Sequence, residues 1–81
     1  MIHNINKLIM IEKIYYLYKT NGWGDSKLIF KSNWLEDIDK VSIYLTITLK
    51  SNEMFVISEK EEVNAIIDLI SEELICEILN N

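Results

Sequence analysis

Apolar and polar positions follow two rhythms along this chain. From residue 4 to 20, Ile5, Leu8, Ile11, Tyr15 and Tyr18 recur at helical spacing, and Ile14 and Leu17 widen the stripe, which predicts a helix. Asn4 is suited to its N-cap, with Met10 as a later alternative start, and Gly22 is suited to ending it in a left-handed conformation. Asn21-Gly22-Trp23-Gly24 then reads as a helix stop and tight turn from which Trp23 can fold back over the core.

The segment Ser26–Ser32, SKLIFKS, reads as a short strand with Leu28 and Phe30 on one face. NWLEDIDK, residues 33–40, reads as a polar connection or single helical turn anchored by Trp34 or Ile38. From Val41 to Lys50 the period becomes two: Val41, Ile43, Leu45, Ile47 and Leu49 alternate with Ser42, Tyr44, Thr46, Thr48 and Lys50. That comb predicts a half-buried strand with Tyr44 on its polar side. Ser51-Asn52-Glu53 can turn it into a second strand, Met54 to Ile57.

Ser58 followed by Glu61 has the spacing of a capping box, so a final helix is predicted to start after Ser58. In that helix Val63, Ile66, Ile67, Ile70, Leu74 and Ile78 share an arc, while Glu61, Asp68 and Glu72 lie nearly opposite. The expected fold class is α+β, a three-stranded antiparallel sheet with an N-terminal and a C-terminal helix in the order α-β-β-β-α. Residues 1–81 form a single domain in this reading, since a chain this short supports one core.

Charge changes the picture at residue 53. From there on, Glu53, Glu59, Glu61, Glu62, Asp68, Glu72, Glu73 and Glu77 face one cation, Lys60, whereas residues 1–52 are mildly positive. Acids at the start of the last helix suit its positive end, but the whole field also draws a basic partner. The formal net charge of -5 and the absence of arginine argue against direct nucleic-acid binding. A face built from the lysines of residues 7–50 is what could still provide it.

Candidate chemistry is sparse. Cys76 is the sole cysteine, which excludes an intrachain disulfide and a thiolate zinc cluster and fits a reducing compartment. Its ordinary role is a small, semi-buried side chain, and His3, near the start of the sequence, is an ordinary solvent group. The carboxylates of Glu36, Asp37 and Asp39, and of Glu61 and Glu62, are clusters that usually coat a surface. A minimal carboxylate hydrolase would need a concave site beside the first of them. Asp37 and Asp39 lack the glycine and further ligands of a calcium loop. Tyr15 and Tyr18 are expected in the core, and Tyr44 is a candidate contact. Neither a membrane-length apolar run nor an export signal is present, so the expected location is cytoplasmic, with no enzyme activity, cofactor or metal.

What remains is an acidic surface. Glu36, Asp37 and Asp39 fall on a connection, Glu53 at a hairpin, and Asp68 with Glu72 on a solvent-facing helix, a distribution able to occupy a cationic groove that otherwise takes nucleic acid.

Residues 54–74, MFVISEKEEVNAIIDLISEEL, resemble the small phage-encoded anti-CRISPR proteins that inhibit Cas9. The likeness lies in a strand ending Val56-Ile57-Ser58-Glu59, an acidic helix start, and the spacing of Ile66, Ile67 and Ile70 beside Leu69. The resemblance implies a non-enzymatic inhibitor in the host-cell cytoplasm. Its partner would be a nuclease effector such as Cas9 with guide RNA, blocked from DNA by acidic mimicry, with Glu36, Asp37, Asp39 and Glu53 as contacts. The alternative is a small homodimeric adaptor or transcription regulator, self-associating through a helix face or sheet edge.

Overall fold

The computed structural model describes residues 13–49 and 53–80. Six elements follow one another: β1 (Tyr15–Thr20), β2 (Ser26–Ser32), α1 (Leu35–Thr48), β3 (Met54–Ser58), β4 (Ile66–Ile67) and α2 (Glu72–Leu79). The class is α+β, as expected, but the sheet has four strands in the order β3-β1-β2-β4 and is mixed. β1 runs antiparallel to both β2 and β3, while β4 runs parallel to β2.

Three expectations need correction. Residues 15–20 are a strand, not the end of a helix; residues 4–12 of that predicted helix lie outside the described residues. YYLYKT is rich in aromatics that fit a pleated surface, and both faces are used: Leu17 goes under the helices while Tyr18 is buried on the other side. Gly22 (φ 79°) and Gly24 (φ 90°) therefore serve a β1–β2 reversal rather than a helix stop. Trp23 at its tip is 88% exposed and does not fold back on the core.

Second, Val41–Lys50 is no strand. Residues 41–48 belong to α1, which also absorbs most of the connection predicted over residues 33–40. Ile38, Val41 and Leu45 recur at helical spacing and are buried, and this stripe wins over the alternating comb because it meets Leu17 and Ile29 on the sheet. The cost shows on the opposite side, where Ile43 and Ile47 are 59% and 74% exposed. Thr46 Oγ1 donates to the Ser42 carbonyl at 2.7 Å, which occupies a hydroxyl that otherwise competes with the helix backbone.

Third, the helix predicted after Ser58 begins only at Glu72. Ser58 Oγ accepts from the Lys60 N–H (3.1 Å) and donates to the Lys60 carbonyl (3.0 Å), a local turn that closes β3. The real cap is Ser71, whose side chain accepts from the Leu74 N–H at 3.2 Å. Between the two serines, residues 59–65 form a strap across the back of the sheet and β4 pairs with Lys27 and Leu28. The expected hairpin of residues 41–50 with residues 54–57 is replaced by pairing of both β2 and β3 with β1.

The two faces of the sheet are sealed differently. On one, Leu17 and Ile29 join Ile38, Val41 and Leu45 of α1 and Ile78 of α2 in a closed apolar cluster, with Phe55, Ile70 and Leu74 packed around it. On the other, Tyr18 and Leu28 are register partners and both buried. A register shift between Leu17 and Tyr18 leaves Ile29 as an extra residue of β2, so the neighbours Ile29 and Phe30 both lie on the helix-covered face.

Candidate protein-binding surface

The strands give the molecule two ends. Thr20, Ser26 and Met54 are aligned at one, and Tyr16, Lys31 and Ser58 near the other. α1 starts just after Ser32, so Glu36 and Asp37 in its first turn, and Asp39 beyond them, belong to the second end. Glu36 and Asp39 are exposed and Asp37 half-buried. Glu53, directly before Met54, belongs to the first end. The predicted contact set is therefore split along the length of the sheet.

At the first end the carboxylates meet lysines. Glu53 lies 3.7 Å from Lys19 Nζ, Asp68 lies 3.8 Å from Lys27 Nζ, and Lys19 and Lys27 are cross-strand partners. A concavity of about 360 Å³ opens there between Lys19, Lys27, Glu53 and Asp25. Its charges alternate in sign. Asp68 is also not the helical partner of Glu72: it follows β4 in extended chain, its N–H bonded to the Leu28 carbonyl at 2.9 Å.

Glu72 begins α2 and is exposed. The buried stripe of α2 is carried by Leu74, Ile75, Ile78 and Leu79, which leaves Glu72, Glu73, Cys76 and Glu77 outward. None of these three glutamates takes part in an ion pair among the described residues. Glu73 and Glu77 were not among the sequence candidates, although the helix predicted after Ser58 already stacks them at four-residue spacing. Cys76 is exposed rather than semi-buried. A shallow apolar groove of about 330 Å³ runs from Cys76 and Ile75 to Phe30 and Leu69, with Glu72 and Lys31 on its rim.

Tyr44 changes character most. Instead of lying on the wet side of a strand, it sits on α1, half-buried and packed against the core. The back of the sheet supplies a residue that sequence reasoning passed over, Glu62. Its N–H donates to the Tyr18 hydroxyl at 2.7 Å and its Oε2 accepts from Ser26 Oγ at 2.9 Å. The Tyr18 hydroxyl in turn donates to the Lys60 carbonyl at 3.4 Å. Glu59 is 3.7 Å from Lys13.

Among the described residues no group of three or more His, Cys, Asp or Glu side chains is placed to hold a metal ion, and no helix is long and apolar enough to cross a membrane. His3 lies outside the described residues. Comparison of the chain with family models, with curated proteins and with solved structures finds no match.

Proposed function

We propose that the protein is a non-enzymatic inhibitor that binds a basic groove of a nucleic-acid-processing effector and keeps DNA out of it, acting in the cytoplasm. The observation that carries this reading is the outward face of α2, where Glu72, Glu73 and Glu77 stand without a lysine partner among the described residues. Like charges at Glu73 and Glu77, one helical turn apart, cost a few tenths of a kcal/mol, roughly 0.2–0.5, and a cationic partner reverses that sign. Glu36 and Asp39 add charge at the exposed start of α1. An effector of the Cas9 type is the partner suggested by residues 54–74.

The test is gel filtration of the protein with a Cas9–guide RNA complex, followed by competition with target DNA. Co-elution with loss of DNA binding is expected, and the triple variant Glu72→Gln, Glu73→Gln, Glu77→Gln should weaken association about tenfold or more. Co-elution that leaves DNA binding intact removes the mimicry mechanism.

A second reading, a homodimeric adaptor, is favoured by β3. Its outer edge is unpaired among the described residues, Met54 and Val56 are exposed, and MFVIS contains no charge or proline to guard it. Sedimentation at rising protein concentration separates the two readings: a persistent monomer eliminates the dimer.

A further inference from the structure

Among the acidic residues, Glu62 is tied to the sheet, through Ser26 and Tyr18, rather than to a lysine. Glu53, Glu59 and Asp68 have ammonium partners, and the α2 glutamates have no side-chain hydrogen bond among the described residues. Glu62 is held at two points, its N–H on Tyr18 and its Oε2 on Ser26, while Oε1 has no hydrogen bond among the described residues. It borders a concavity of about 370 Å³ on the back of the sheet, whose other walls include Tyr18, Val56, Ile57 and Ser58.

We infer that this concavity is a seat for one lysine or arginine side chain of a protein partner. A basic side chain has two parts, an apolar stem and a cationic tip, and the seat offers a match for each. Val56 and the Tyr18 ring supply apolar wall, and Glu62 Oε1 supplies an acceptor with a full negative charge. Because Ser26 already restrains the carboxylate and Tyr18 the backbone that carries it, binding costs less ordering than at a free surface glutamate. The inference rests on the basic-partner reading above and adds a specific contact to it, on the face opposite the helices.

The seat is tested by NMR titration of amide positions with acetyl-Gly-Arg-Gly-amide as the probe. Saturable shifts are expected at Val56, Ser58 and Glu62, reduced at least fivefold in apparent affinity by Glu62→Gln, whose side-chain oxygen can still accept from Ser26. Val56→Trp, which fills the concavity from an exposed edge position, should abolish the shifts with Glu62 intact. The α2 triple glutamine variant should leave them within about twofold. Undiminished binding by both single variants, or shifts spread evenly over all acidic positions, overturns the seat. Its failure is distinguishable from that of the inhibitor reading: peptide shifts without DNA exclusion remove the inhibitor and keep the seat, and DNA exclusion insensitive to Glu62→Gln and Val56→Trp does the reverse.

Discussion

The helix-covered and strap-covered faces of this sheet close over comparable apolar residues by different means. Under the helices, Leu17 belongs to one apolar cluster with side chains from both α1 and α2, with no polar or charged residue among the buried ones. Behind the sheet, Tyr18 and Leu28 are covered by a strap without helix, tied down at the Tyr18 hydroxyl and at Ser26. Apolar burial is non-directional and scales with area, whereas a few hydrogen bonds contribute about 1 kcal/mol each and can be lost singly. The first face should therefore set global stability and the second should open locally.

The sharpest way to break that contrast is Leu17→Ala, which leaves a cavity at the centre of the helix-covered face. It should cost about 2–5 kcal/mol in denaturant unfolding, and a much smaller loss would mean that this face is not the cohesive one. Tyr18→Phe removes the acceptor for the Glu62 N–H while keeping the ring, so about 1 kcal/mol is expected. Hydrogen exchange should speed up at Glu62 while Val41 and Leu45 stay protected; equal acceleration at both would show that the two faces open together. Ser71→Ala should cost roughly 1 kcal/mol by uncapping α2, with fraying seen first at Leu74. Smallest of all, Asp68→Asn removes an exposed ion pair with Lys27 and should change stability by less than about 0.5 kcal/mol.

The short strands were legible in the sequence because their signals were local. SKLIFKS and MFVIS are bounded by turn residues, and each forms a strand at or within one residue of its predicted limits. The first helix was not legible, since two periods were superimposed, and the second was legible in its body but not in its start. Val41 and Leu45 satisfy both an alternating comb and a helical stripe, and only the inclusion of Ile38, assigned to a loop, breaks the tie. Ser58 and Glu61 imitate a cap, while Ser71, the functioning cap, has leucine at the third position where a capping box would have glutamate. Errors of element then became errors of site. Asp68 and Glu72 lost their shared helix, Tyr44 turned toward the core, and Glu53 separated from Glu36, Asp37 and Asp39. Net charge was readable from composition, but which carboxylates meet lysines depends on strand register, as the Lys19 and Lys27 pairing shows.

The extra residue in β2 has a consequence for any re-engineering of the strand. Before it, Ser26 and Leu28 share a side with Tyr18; after it, Phe30 shares a side with Leu17, so even-numbered positions change allegiance at Ile29. Ile29 thus works as a parity shift in the inward and outward code of the strand. Deleting this one residue would make Leu28 and Phe30 neighbours in unbroken alternation, keeping Phe30 opposite Leu17 but removing the Ile29 side chain from the core. A graft of β2 into another sheet must carry the irregularity along with the letters.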